Sequence, residues 1–579
     1  MVKHTENFIT DQSSRRRGND VPPFMRHTKR EETGVFFGMK NIENRIEYIG
    51  KPKDKDGHIL VVGGAGSGKS TCVAIPTLET WEGTIFAIDI KGELTKYWNE
   101  KLADKRPTKI INLTKDKGDY PGYDPFYFLK QAGDDDLVQN AREIAQAIIQ
   151  IPPNVLEPFW LQAAQHVLTA SLLYHYKCCK APFIEAIKTT QKTPLNKLVK
   201  MISQGDCEEA QLHIKQFVDG ADIPDNKMMA GISAELSNKI MVFATDPRIK
   251  AAFDIKKDTA EESVKWEDLE GQNIFMRIAE DKLGQWDGAI TLMLTQLIRS
   301  LERRHDKQYD PDGKPLVLSE HGEVIPPTLL LLDEFPRLGK VDVIQNAVST
   351  LRSKGVTICI MMQSLAQLDR TYGKETRQIV VDNCPYKAIL QVTDPENQKT
   401  FSDTIGTIKV GMRGYSEGSG TSNGSNNGET SGEGFNEITG ENFGEMLVRI
   451  NAGRSKILGN TKTKQTGKSK STQTGSSTNT ARNTNESREP LIHPHELATL
   501  DDILLLTPKG FCRIDKAPYY KLNKSASINK TPEQPSPATV QSPPRTIDKL
   551  RDRIGKKDAR DRGDGRGLRK LVQALNRER

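Results

Sequence analysis

Nine consecutive residues, Gly63-Gly64-Ala65-Gly66-Ser67-Gly68-Lys69-Ser70-Thr71, match the pattern G-x-x-x-x-G-K-[ST] without a mismatch. Glycines at these positions let backbone N–H groups turn inward around a phosphate, and a helix starting behind them adds the positive end of a dipole. Lys69 is the residue type that reaches the β- and γ-phosphates of ATP, and the Ser70 hydroxyl is the type that holds Mg²⁺. A second acidic element completes such a site. Thr328-Leu329-Leu330-Leu331-Leu332 is an apolar run that ends in Asp333-Glu334. The aspartate would bind Mg²⁺ through water, and the glutamate would orient or deprotonate an attacking water. A buried strand with acids at its solvated end has the same look, and the phosphate-loop sequence tips the balance toward catalysis.

Two more residues belong to this chemistry by position. Gln363 follows the apolar run Val356 to Met362 and is placed to sense the γ-phosphate, because the ligand crevice of a parallel sheet lies at such strand ends. Arg352, in Leu351-Arg352-Ser353-Lys354-Gly355, is a candidate to reach the nucleotide of a neighbouring subunit. The plain alternatives are a capping amide and a surface arginine.

The elements that must position these groups are visible as short apolar runs. His58 to Val62 precedes the phosphate loop as a strand, and Cys72 to Ile75 opens a helix behind it. Thr84–Asp89, Lys109–Leu113, Asn273–Ile278, Thr328–Leu332, Val356–Met362 and Lys387–Val392 read as further strands. Their near-continuous apolar character suits a mainly parallel sheet covered on both faces, so the expected class is α/β. Residues 69 and 333 lie far apart for a compact phosphate-loop domain. Helical periodicity at 136–149 and 159–173 explains the surplus as an all-α domain inserted at 134–255. The ATPase domain then comprises 34–133, 256–412 and 490–522, beginning with a strand pair between Gly34 and Gly50. Residues 306–326 read as a polar loop, and 510–514 as a last strand.

Outside these pieces the chain is polar. Residues 1–33 are expected to be disordered. Residues 413–489 are rich in Gly, Ser, Thr and Asn and read as a flexible low-complexity loop. Every charged residue from Glu417 to Glu445 is Glu, and the eight from Arg449 to Arg482 are all Lys or Arg. That basic half is a candidate DNA contact. Residues 523–579 read as a disordered basic tail. The net charge of the whole chain is +7, and from Gln541 onward thirteen Lys/Arg face six Asp/Glu, so the excess sits in that tail. The seven cysteines form no C-x-x-C pair, which speaks against a zinc site or a disulfide framework and suits a reducing cytoplasm. No apolar run approaches the roughly 20 residues that a membrane-spanning helix needs.

The combination of motifs resembles the TraG/TraD-type coupling ATPases of conjugative type IV secretion systems. The resemblance rests on Gly63–Thr71, Asp89-Ile90-Lys91-Gly92-Glu93-Leu94, Pro158-Phe159-Trp160 with Ala163-Ala164, and Leu332–Gly339. Arg352–Val356, Gln363–Leu368, Tyr372-Gly373 and the closing Arg488–Ile492 with Glu496-Leu497 extend it over about 34–522. It implies a RecA-like P-loop NTPase domain carrying an inserted all-α domain and assembling as a homo-hexamer. It implies ATP hydrolysis with Mg²⁺, coupled to recruiting or translocating single- or double-stranded DNA. The implied partners are a relaxase or relaxosome and the secretion channel. It implies the in-trans arginine at Arg352 and the sensor glutamine at Gln363. Many members begin with transmembrane helices, which this sequence lacks, so attachment to the inner face of the membrane would need a separate anchor. The competing readings are a DNA pump of the FtsK/HerA type outside conjugation, and a secretion-substrate receptor in which ATP only organises a ring. Trp160 would face substrate in such a protein, or else pack in a core.

Overall fold

A computed structural model describes residues 18, 20–114, 120–131, 133–152, 155–218, 227–255, 263–421, 435–436, 459–460 and 476–522. Its centre is a nine-stranded sheet. In chain order the strands are β1 (Ile59–Val62), β2 (Thr84–Asp89), β3 (Thr108–Asn112), β4 (Asn273–Arg277), β5 (Thr328–Leu332), β6 (Val356–Met362), β7 (Tyr386–Ile389), β8 (Ile503–Thr507) and β9 (Gly510–Ile514). Their spatial order is β9-β8-β7-β1-β6-β5-β2-β4-β3. The seven strands from β7 to β3 are parallel, and β8 and β9 add an antiparallel edge.

The near-continuous apolar runs are explained by burial on both faces. Leu60, Val62, Phe86, Ile88, Leu330, Leu332, Ile358 and Ile360 join one core, while Ile59, Val61, Ile85, Ala87, Leu329, Leu331, Cys359 and Met361 join the other. This is the period of two that a pleated strand imposes, with neither side left to water. Leu94, Tyr97 and Trp98 of the helix Glu93–Lys101 cover the second face, and the helix Asp287–Arg303 covers the first with Ile290, Met293, Leu294 and Leu297.

Between β3 and β4 the named elements among the described residues are helices, among them Asp134–Ile148, Phe159–Lys177, Phe183–Lys192, Leu195–Ser203, Glu208–Val218 and Lys227–Thr245. Prolines at 158, 182, 194 and 247 stand at or just before helix starts, where a missing N–H costs nothing. Gln150 and Asp246 are among the residues that tie these helices to the sheet layer. Gln150 donates to Thr291 Oγ1 at 2.8 Å and accepts from the Lys340 backbone N–H at 2.9 Å. Asp246 caps the helix Pro247–Phe253 and accepts from Trp286 Nε1 at 3.1 Å. Trp160 is half-buried against the helix Lys227–Thr245, where a Cβ at Gly231 would come within 3.0 Å of its ring.

Three segments hold more structure among their described residues than their composition suggests. The segment to residue 33 is ordered from Asp20: Val21 and Met25 are buried, and Arg26–His27 pairs with Tyr48 and Ile49 of a hairpin made by Val35–Ile42 and Arg45–Lys51. Two apolar anchors in a polar stretch suffice to dock it. The polar loop at 306–326 holds a small antiparallel sheet of Gln308–Tyr309, Pro315–Leu318 and Val324–Ile325, on which Val317 packs so closely that a Cβ at Gly355 (φ +69°) would lie 2.3 Å away. The ends of the low-complexity segment pair as a ribbon, Thr407–Thr421 against Ser476–Pro490. A ribbon held by backbone bonds leaves no apolar alternation to read. Most of the basic half of that segment, and all of the tail from 523, lie outside the described residues. All seven cysteines are free. Among the described residues no helix is long and apolar enough to cross a membrane.

Candidate functional site

The phosphate-loop residues connect β1 to a helix at the carboxyl edge of the sheet. Neighbouring strand ends fix the loop: Gly63 N–H donates to Met362 O at 3.1 Å and Gly64 N–H to Gln391 O at 2.8 Å. Gly66 and Gly68 take φ of +75° and +103°, and a Cβ at Gly63 would sit 2.4 Å from Ser67 Oγ, so glycine is required in these places. The helix begins as a wide turn, Lys69–Ala74, and continues as Ile75–Thr80. Ser70 and Thr71 are half-buried in its first turn.

Lys69 is only 7% exposed and folds back on the loop, donating to Gly63 O at 2.6 Å and Gly64 O at 3.3 Å. Burial holds its ammonium below the usual lysine range, and Glu334 and Asp333 pull the other way. With only two carbonyls and a carboxylate at 3.9 Å around it, this ammonium is held where an anionic ligand of the loop would meet it.

Asp333 and Glu334 follow β5 directly. Burial, then the neighbouring Glu334, pushes the Asp333 carboxyl up to about 6, against the opposing pull of Lys69. Asp333 Oδ1 accepts from the Glu334 N–H at 3.0 Å. Glu334 is 4% exposed and has φ +50°, a left-handed conformation rare outside glycine. Strain of this kind persists where the surroundings over-determine it. Here the turn aims the carboxylate back across the sheet edge: Oε1 accepts from Gln363 Nε2 at 2.8 Å and stands 3.9 Å from Lys69 Nζ. Its Oε2 is buried with no partner among the described residues, and so is Ser67 Oγ. Both atoms keep hydrogen-bonding capacity that a bound ligand or water could use.

Glu334, Lys69, Gln363, Asp333 and the loop residues 63–71 therefore meet at one place. Arg352 does not. It is exposed, in the turn before β6, and the seven residues of that strand separate it from Gln363, about 20 Å at the usual rise. Asp89, from the motif after β2, is 2% exposed and accepts from Thr95 N–H at 2.7 Å, which closes the turn into the helix Glu93–Lys101. Gln391, whose carbonyl anchors the loop, escaped the sequence reading: a backbone contact leaves no mark on residue type. The donor set suits Mg²⁺, which keeps most of its waters and needs only one carboxylate or hydroxyl beside ligand phosphates. Among the described residues no cluster of three or more His, Cys, Asp or Glu forms a self-sufficient cage.

A family model described as Type IV secretory system Conjugative DNA transfer matches residues 24–436 and 452–546. The chain is 26% identical over 370 residues to Protein VirD4 of Rhizobium radiobacter, a match covering 62% of this chain and 50% of that protein. It is 21% identical over 387 residues to Conjugal transfer protein TraG of Escherichia coli, covering 63% and 59%. The chain thus spans somewhat over half, at most, of the curated relatives it matches. Among solved structures it superposes on the plasmid coupling protein TrwB in complex with ADP and Mg²⁺ with a TM-score of 0.53, at 15% identity, over 81% of this chain and 87% of that one. At such identity the likeness is one of fold, the RecA-like P-loop NTPase.

Proposed function

We propose a function that starts from one premise: the chain belongs to the Type IV secretory system conjugative DNA transfer family. On our reading it is a coupling ATPase, hydrolysing ATP to recruit or translocate DNA, as a relaxase–DNA complex, to the transfer channel. The observation that carries this is the meeting of Lys69, Glu334 and Gln363 at one sheet edge, from segments remote in sequence.

The loop amides and Lys69 would cradle the phosphates of ATP. Ser70 and Asp333 would hold Mg²⁺, which when bound neutralises charge on the phosphates. Glu334, fixed by Gln363 and by its strained turn, would accept a proton from the attacking water or orient it. Its free Oε2 is the atom available for this. Gln363 would report the γ-phosphate to the helix Leu365–Tyr372, since its own backbone N–H is held by Gln367 Oε1 at 3.2 Å. Arg352 lies too far from its own site to serve it, and in a homo-hexamer it would complete the neighbour's. The domain division stands as a proposal too: a motor of 34–133, 256–412 and 490–522, and an inserted helical domain of 134–255.

ATP turnover of the purified protein, measured with and without single- and double-stranded DNA, tests the reading. Stimulation by DNA is expected. Turnover indifferent to either form would sink the motor and leave a receptor that uses ATP only to order a ring.

A further inference from the structure

Three strand ends beside the nucleotide site form a level row: Asp89 of β2 pairs in register with Arg277 of β4, which pairs with Asn112 of β3. Over this row opens a pocket of about 360 Å³, separate from the phosphate loop. Among the described residues Lys91, Lys96 and Arg277 line it against one carboxylate, Glu100, which is itself paired with Lys96 at 4.0 Å. Lys91 and Arg277 take part in no ion pair among the described residues.

Two polar atoms beneath the cations lack partners among the described residues. Among the described residues Asn112 Nδ2 is buried without a partner, although its Oδ1 accepts from both the N–H and the hydroxyl of Thr114, at 2.8 and 2.6 Å. Those two bonds fix the amide's orientation, so the orphan is the N–H₂ side. Thr95 Oγ is buried without a partner as well. Both residues line the pocket and are more than nine-tenths buried. Gly92 completes the arrangement: its φ of +75° favours glycine, and a Cβ there would meet the end of the Arg277 side chain at 2.8 Å and displace it. Arginine, lysine and the amide N–H₂ can only donate. A cluster of orphaned donors with an excess of positive charge asks for a ligand made of acceptors.

We infer that this pocket is an oxyanion site that takes one phosphate group, distinct from the nucleotide phosphates held by the loop. Ile110 and Tyr120 on its wall leave room for the sugar or base attached to that phosphate. The two sources of such a group are a phosphodiester of a DNA strand passing the carboxyl edge of the sheet, and free inorganic phosphate. The first rests on the coupling-ATPase reading above and the second does not.

The test uses the full-length protein with its phosphate loop saturated by ADP and Mg²⁺. Arg277→Gln removes a donor fork, and Asn112→Asp keeps the bonds to Thr114 while turning the orphaned donor into a repelling oxygen. A fluorescent ADP analogue should bind both variants as it binds wild type, which certifies the fold. For a labelled poly-dT oligonucleotide, the variants should bind more weakly, and the slope of log affinity against log salt should fall by about 0.7, the loss of one single-strand phosphate contact. If oligonucleotide binding is unchanged but inorganic phosphate raises the melting temperature of wild type and not of the variants, the site stands with free phosphate as its ligand. If both readouts are the same in wild type and variants, the inference is overturned. Absence of DNA-stimulated turnover with the phosphate response intact would sink the coupling reading alone.

Discussion

At the amino edge of the central sheet Lys51 is wholly buried and donates to Thr357 Oγ1 at 3.2 Å, while at the carboxyl edge Lys69 is nearly as buried and faces Glu334. The company each lysine keeps differs. Two other buried groups at the amino edge also have neutral partners: Arg304 donates to Thr328 Oγ1 at 2.8 Å, and His58 Nδ1 accepts from the Ile358 N–H at 3.0 Å. Burial pushes Lys51 down to about 7, His58 to about 3 and Arg304 to about 10. At the carboxyl edge two adjacent carboxylates crowd one another, and one of them, Glu334, sits in a left-handed turn with an oxygen unpartnered among the described residues. Burial alone therefore does not mark a site. What marks it is like charge held together with bonding capacity left over.

Arg352 sharpens the contrast, since it stands at the edge without a site of its own. Arg352→Ala should lower ATP turnover by roughly 10³-fold, the effect of an arginine supplied in trans. Mixing it with Glu334→Gln subunits should restore part of the activity, because mixed interfaces pair an intact site with an intact arginine. Turnover of mixtures that merely averages the two variants would break the comparison. Glu334→Gln itself should cost about 10²- to 10³-fold in hydrolysis and leave nucleotide binding in place. Equal loss of binding would show that the carboxylate holds the fold of the loop instead. Gln363→Leu removes the donor to Glu334 Oε1, and one such bond corresponds to about a tenfold loss of turnover.

The smallest effect belongs to Lys51. Its ammonium titrates near 7 when folded and near its ordinary 10.5 when unfolded. Between those values the unfolded chain binds more protons, so stability rises with pH across the window, by up to about 1 kcal/mol per unit. Lys51→Met lacks the titrating group. It should be the more stable protein near neutral pH, and its advantage should shrink as the pH climbs, in urea titrations read by circular dichroism. An advantage independent of pH would mean that the buried charge is not what distinguishes this edge.

Most of this site was legible before any coordinates. Residues 63–71 announce themselves because a backbone wrapped on phosphate demands glycine at fixed spacing, and β5 announces Asp333 and Glu334 because an apolar run that stops on two acids is rare. The strands were legible through their apolar length, and the helices between β3 and β4 through their period. The pairing of Thr407–Thr421 with Ser476–Pro490 was not, nor the docking of residues 20–33, since backbone bonding and a pair of apolar anchors leave little compositional trace.

Sequence alone determined which residues are of the types that suit a phosphate and which runs must be buried, because glycine conformation and apolar periodicity are local properties. Tertiary structure decided which of them meet. Parallel pairing put β6 between β1 and β5, and so laid Gln363 against Glu334 and left Arg352 a strand's length away. It also set Arg277 and Asn112 in one row with Asp89, a register fixed by backbone hydrogen bonds between strands far apart in the chain.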